Sequence, residues 1–255
     1  MQTQGSASRA LAKLPLYGFG LALLAVLVMM LAGLGTRWGW WHFRVGFMIL
    51  KWGAYGGLAA ALFSLVGLVM AATRRNPPGL LLGGVGLVIS LFAVWVPWSW
   101  LQTARTVPPI HDITTDTENP PEFVAILPLR KDAPNPAEYG GPEVAAQQRK
   151  GYPDLGPAIL PVPPDTAFER ALLTVRGMGW EIVDANSTEG RIEATDTTFW
   201  FGFKDDIVVR ITPVEAGSRV DVRSVSRVGR SDVGTNAKRI LEFLKRMKEK
   251  EARSM

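Results

Sequence analysis

Residues whose types could do chemistry gather near the C-terminus. Arg223, Ser224, Ser226, Arg227, Arg230, Ser231, Asp232 and Asn236 run from a predicted strand, across Gly229, into a predicted helix start. Guanidinium groups, hydroxyls and the unpaired N–H groups of a first helical turn together suit a phosphate or carboxylate. These eight residues form the candidate ligand-binding site. A structural reading competes with it: Asp232 caps the helix, the arginines pair with Asp205, Asp206 or Asp221, and the serines bond the backbone. Three other groups carry less. Asp205 and Asp206 suggest a metal or an acid/base pair, but adjacent carboxylates in a predicted turn are normally solvated or held by arginines. His111 beside Asp112 lies among prolines with no nucleophile motif, which suits a loop. Phe199, Trp200, Phe201 and Phe203 suit a pocket for an apolar chain, or core packing. The chain has no cysteine and two histidines, His42 and His111, far apart in sequence. Disulfides, cysteine-ligated zinc and a cysteine nucleophile are excluded. No catalytic residue, metal ligand or cofactor is assigned.

The elements that must position these residues follow from periodicity. Thr166 to Glu169 reads as a capping box, with Phe168, Ala171, Leu172, Val175 and Met178 at helical spacing behind it. Four strands are expected next: Trp180–Ala185, Arg191–Thr198, Ile207–Val214 and Arg219–Val228, with turns at 186–190, 204–206 and 215–218. The aromatic run 199–203 extends or kinks the second strand. Alternation in the fourth places Val220, Val222, Ser224 and Ser226 toward a core. Arg219, Asp221, Arg223 and Arg227 face the other way, with Glu193 and Arg210 in an outer ion-pair ladder. A last amphipathic helix starts at Asp232, with Val233, Ala237, Ile240, Leu244 and Met247 on one face. The expected domain, residues 165–255, is helix, four-strand antiparallel meander, helix, with the helices on one face.

Ahead of it, residues 103–164 form a connector. Residues 106–164 hold 13 of the chain's 18 prolines, a density that breaks helices and excludes central strands. It reads as a stiff, acidic spacer that partly wraps over the domain, since the apolar 123–129 segment, Tyr139 and Tyr152 are poor choices for a solvated linker.

Residues 1–102 are different in kind. They hold seven bases and no acid, whereas residues 103–255 hold 21 bases and 23 acids. The net charge of +5 therefore comes from the apolar part of the chain and does not mark a nucleic-acid surface. Three apolar runs, about 14–34, 47–72 and 80–101, are each long enough to cross a hydrocarbon core. Pro77 and Pro78 separate the last two. Seven of nine tryptophans lie between 38 and 100, near two boundaries that alternation puts on one membrane side, as an aromatic belt. Gly53-x-x-x-Gly57 and Gly79-x-x-x-Gly83 permit close helix approach, though such spacing is common. No Asp or Glu lies in any run, which favours an anchor over a transporter. Basic residues such as Arg9, Lys13, Arg74 and Arg75 favour an N-terminus inside and the C-terminal domain outside the cytoplasm. The first run is read as a retained helix and not as a signal peptide. The fold class is a membrane-anchored α+β protein.

From Pro108 to Met247 the chain resembles the bacterial family known as domain of unknown function 1499. The likeness lies in Pro109–Ile113, Gly190–Glu193, Gly202–Asp206, Val220–Gly229 and Ser231–Ile240. The resemblance implies an envelope-associated domain without an established activity, and does not include the three apolar runs. The function expected is a non-catalytic, multi-pass protein of the bacterial inner membrane. Its extracytoplasmic domain binds an anionic ligand, such as a lipid headgroup, or a protein partner. A membrane-anchored, lipid-directed hydrolase is the alternative.

Overall fold

The computed structural model describes residues 13–252; Arg9 lies outside the described residues. The chain forms two compact units. One comprises residues up to Gln102 together with Phe199–Gly202, the other Thr103–Thr198 and the residues from Phe203 onward.

The first unit is built on three helices long and apolar enough to cross a membrane: α1 (Leu14–Arg37), α2 (Phe43–Thr73) and α3 (Pro77–Thr106). Each is longer than its apolar run. Arg37 ends α1, His42 Nδ1 accepts from Arg44 N at the start of α2, and Pro77 opens α3, where its missing N–H and fixed φ cost nothing. The buried positions repeat at three and four residues: Gly18, Ala22, Ala25, Met29 and Ala32 on α1; Gly53, Gly57, Ala60, Ser64, Gly67 and Ala71 on α2; Gly79, Gly83, Gly86, Ser90 and Ala93 on α3. Nearly all are small, so the backbones meet closely. A methyl built on Gly67 would lie 2.6 Å from Pro15 N, and one on Gly86 2.7 Å from Ser64 Oγ. Large apolar side chains such as Leu24, Leu62, Leu81 and Phe92 point outward.

The second unit is α+β with six strands: β1 (Asp112–Thr114), β2 (Ala158–Leu160), β3 (Glu181–Asn186), β4 (Arg191–Thr197), β5 (Lys204–Val214) and β6 (Gly217–Ser226). The expected meander is present as β3–β6, all antiparallel. Two strands more than expected come from the connector. β1 pairs with residues 223–225 of β6 and β2 with residues 218–220, so the two share one edge. Proline density bars a central strand but not a three-residue edge strand. A helix also forms in the connector, α4 (Gly141–Gly151), with Pro142 in its first turn.

α5 (Pro164–Gly177) and α6 (Thr235–Ala252) cover one face of the sheet. Phe168, Val175, Ile240, Phe243 and Met247 pack there on Ile192, Ile207, Val209, Val220 and Val222. Trp180 stacks on Phe243, centroids 5.6 Å apart. The other face is not open. Phe123, Ile126 and Ala137 of the connector pack on Val208 and Val225.

Several local expectations are corrected. α5 starts at Pro164, and Thr166 makes no capping bond; proline fixes the first helical φ two residues earlier. α6 starts at Thr235, three residues after Asp232, because Val233 and Gly234 take left-handed φ of 54° and 80°. Residues 204–206 are strand, not turn, and the reversal falls at 198–203. The aromatic run therefore does not extend β4. The β5–β6 turn is only Glu215 and Ala216, with Val214 opposite Gly217.

Candidate functional site

The alternation of β6 decides the fate of the eight candidate residues. Successive side chains point to opposite faces, so Arg223 and Arg227 lie on the connector face while Ser224 and Ser226 lie under α6. The eight do not converge on one point.

On the α6 side, Ser224 Oγ donates to Asn236 Oδ1 at 2.7 Å, and Asn236 Nδ2 donates to Ser226 Oγ at 3.1 Å and to His111 O at 3.0 Å. Arg239, outside the predicted set, donates from Nη1 to Ser224 Oγ and pairs through Nη2 with Asp196 and Asp205, each at 2.7 Å. The Asp232 carboxylate accepts from Gly234 N at 2.9 Å and Asn236 N at 2.6 Å, and Ser231 Oγ accepts from Val233 N. Asp232 thus takes the place an exogenous anion would occupy at the start of α6. Burial raises its pKa above the ordinary carboxyl range, against those two backbone hydrogen bonds. The Tyr152 hydroxyl, buried near Gly234, is pushed up to about 12 by burial and by Asp232.

On the connector face Asp112, Arg130, Glu193, Asp206, Asp221 and Arg223 are buried. Arg223 is 2% exposed. It makes a two-pronged pair with Asp112, Nε to Oδ1 at 3.0 Å and Nη2 to Oδ2 at 2.8 Å, and donates to the carbonyls of Pro121 and Ala137. Its guanidinium lies over the rings of Phe123 and Tyr139. Burial raises the Tyr139 pKa to about 12, with Asp112 adding to the shift and Arg223 opposing it. Asp206 accepts from Arg130 Nη1 at 2.6 Å, Thr195 Oγ1 at 2.7 Å, and Arg227 Nε and Nη2 at 2.8 Å. Burial works to raise its pKa, but these hydrogen bonds from Arg227, Thr195 and Arg130 outweigh it and hold the carboxyl below its ordinary range.

Glu193 is fully buried and accepts from the backbone N–H groups of Val124, Ala125 and Ile126 as well as from Arg191. It holds the segment that leads into the 3-10 helix Leu127–Arg130 against the sheet. Asp221 pairs with Arg210 and Arg219, and both arginines also reach Asp116. In the outer ladder of Glu193, Arg210 and Asp221 both carboxylates are therefore buried beneath the connector, and only Arg210 keeps partial contact with solvent.

The lesser candidates resolve in the same terms. Asp205 faces α6 and Asp206 the connector, so adjacent carboxylates never share a proton or a metal. Asp112 bonds Arg223, while His111 Nδ1 lies 3.5 Å from Arg230 O. Among the described residues no cluster of three His, Asp or Glu side chains has metal-ligand geometry. Of the three candidate arginines only Arg230 has an exposed side chain without a carboxylate partner among the described residues.

Reasoning from sequence missed Arg130, Asp112 and Arg239 as members of these networks. Their partners lie 76, 111 and 34 residues away, and no local pattern announces them.

The family pattern described as "Protein of unknown function (DUF1499)" matches residues 112–247, over half the chain, and the protein belongs to that family. Its boundaries enclose the sheet, its edge strands and the connector that covers the buried carboxylates. No curated protein matches the chain. Among solved structures, the protein CV1439 from Chromobacterium violaceum is similar at 12% identity, covering 34% of this chain and 91% of its own, with a TM-score of 0.26.

Proposed function

We propose that α1–α3 span the bacterial inner membrane, N-terminus inside, and carry the DUF1499 domain on the extracytoplasmic side as a non-catalytic module that binds an anionic lipid headgroup. The observation that carries this reading is the arrangement of the helices. Their small residues face inward and their large apolar ones outward, the reverse of a water-soluble bundle and the pattern that suits hydrocarbon. Trp38, Trp40, Trp52, Trp95 and Trp98, all more than half exposed, suit the headgroup zone. The anionic ligand is the finer part of the proposal. Arg223 and Arg227 are spent on Asp112 and Asp206, so the contact falls to exposed Arg230.

The test is native mass spectrometry of the detergent-extracted full chain beside Arg230→Ala. An anionic phospholipid retained by the wild type and lost in the variant is expected. Equal retention, or retention of a protein subunit alone, overturns the headgroup assignment. The chain has no cysteine, so Glu215→Cys supplies a unique thiol in the β5–β6 turn. Labelling by a membrane-impermeant maleimide in intact spheroplasts is expected, and protection until lysis reverses the orientation.

A further inference from the structure

The β4–β5 reversal carries an aromatic tip, Phe199–Gly202, that belongs to the helical unit. Trp200 Nε1 donates to Met30 O at 3.1 Å, seven residues inside the C-terminal end of α1. The indole lies over Gly33, where any side chain would strike its ring. Trp200 meets Trp100 edge-on, centroids 5.5 Å apart, and Phe201 packs on Phe47 at 5.0 Å. Arg37 Nη1 donates to Phe199 O at 2.9 Å. The Phe199 side chain itself is left 83% exposed.

Depth decides what surrounds that ring. At about 1.5 Å of rise per residue, Met30 sits roughly 10 Å below the end of α1. A tip whose indole reaches that level, with a guanidinium beside it at Arg37, has the composition of an interfacial anchor: aromatic rings inward of a cation that reaches the headgroups. Exposing a phenyl ring to water at a turn gains nothing, whereas burying it among acyl chains removes most of its apolar area from water.

We infer that Phe199–Gly202 is a fourth membrane element, a non-helical wedge whose exposed Phe199 is covered by lipid at the headgroup–acyl boundary. Its backbone is held by Arg37 at the Phe199 carbonyl and by the turn bonds Thr198 N to Phe203 O and Phe203 N to Thr198 Oγ1, which satisfies part of the polar backbone that lipid contact demands. The inference rests on the reading of α1–α3 as membrane-spanning.

The test is spin-label depth measurement on the full chain in vesicles of three parts phosphatidylcholine to one of phosphatidylglycerol, with single cysteines at Phe199, at Leu24 in mid-α1 and at Glu215. Collision with oxygen and with a water-soluble nickel chelate reads depth. The Phe199 label is expected between the other two and on the lipid side, roughly 5–10 Å into the boundary, with nickel accessibility several-fold below that of Glu215. Phe199 as nickel-accessible as Glu215, with Leu24 buried in lipid, overturns the wedge and leaves the spanning helices standing. An aqueous Leu24 overturns both. Because Phe199 is exposed, its replacement leaves folding intact. Trp200→Ala with the Phe199 label supplies a second reading: loss of the Met30 bond is expected to raise nickel accessibility, and an unchanged value overturns the role given to Trp200.

Discussion

At Gly86 the interior of the helical unit holds no side chain at all, whereas at Arg223 the interior of the domain holds a whole guanidinium. The first unit gains cohesion by bringing backbones together, so that many weak dispersion contacts form along the Gly, Ala and Ser stripes. The second gains it by completing polar networks: Asp206 has four donors, Glu193 four, and Arg223 four acceptor contacts. Both solutions are intolerant, but of different changes. The helical unit has no room for added atoms, and the domain has no spare partner for a charge that loses its own.

The largest effect is expected where a network loses its centre. Asp206→Ala strands Arg130 and Arg227 beside it, and removing one partner of a buried pair costs about 3–5 kcal/mol. For a domain of this size that lowers Tm by roughly 6–20 °C, measurable by circular dichroism on the detergent-solubilised chain. A loss under about 3 °C would break the contrast, because Asp206 would then be dispensable.

Next comes steric crowding. Gly86→Leu forces a side chain against Ser64 and Phe19, at about 1–3 kcal/mol. The helical unit is expected to unfold earlier in a detergent titration while the domain's thermal transition stays in place, as distant sites act independently. A transition that moves with it would mean the two interiors are not separate.

Acid sharpens the comparison further, since the buried positions of α1–α3 described above carry no titrating group. Asp206 has a folded pKa below its unfolded value near 4. In that window the native state binds fewer protons, so its contribution is present above about pH 4 and is lost as pH falls through the folded value. Asp232 runs the other way. Its folded pKa is raised, so just above about pH 4 the native state binds more protons and stability gains as pH falls. Asp206→Asn is expected to flatten the stability profile below about pH 4, and Asp232→Asn above it. Urea midpoints across pH 2.5–6 measure both slopes, and parallel profiles for all three proteins would contradict the assignment.

The smallest effect is expected at Arg149, whose pair with Glu118 is exposed on both sides. Arg149→Ala should shift Tm by less than about 2 °C. A larger loss would show that solvated pairs count as much here as sealed ones.

The apolar helices and the β3–β6 meander were legible because their signals are local: long apolar runs without Asp or Glu, and alternation bounded by turn residues. What failed to show was set by partners far along the chain. Lys204 to Asp206 reads as a turn by composition, yet Asp205 meets Arg239 and Asp206 meets Arg130 and Arg227, which draws the segment into β5. The alternation of β6 correctly separated Val220 and Val222 from Asp221 and Arg223. It could not reveal that Phe123 and Ile126 would close over the charged side. The eight candidate residues looked like one cluster because sequence distance ignores the sheet that divides them. Arg230, Ser231 and Asp232 do stay together at the approach to α6, and only there does the proximity read from sequence persist.

The shared edge of β6 also sets an order in time. Asp112 pairs with Val225 and Ala158 with Val220, so both connector strands wait for the last described strand to be made. At roughly 5–20 residues per second, Asp112 leaves the ribosome about 6–23 s before its partner. During that interval the carboxylates and guanidiniums of the connector face remain hydrated, and the sheet edge that will hold them does not yet exist. A nascent chain stopped short of Gly217 would therefore carry α1–α5 but neither β6 nor α6, with its connector unpaired and open to proteases until residues 217–226 emerge.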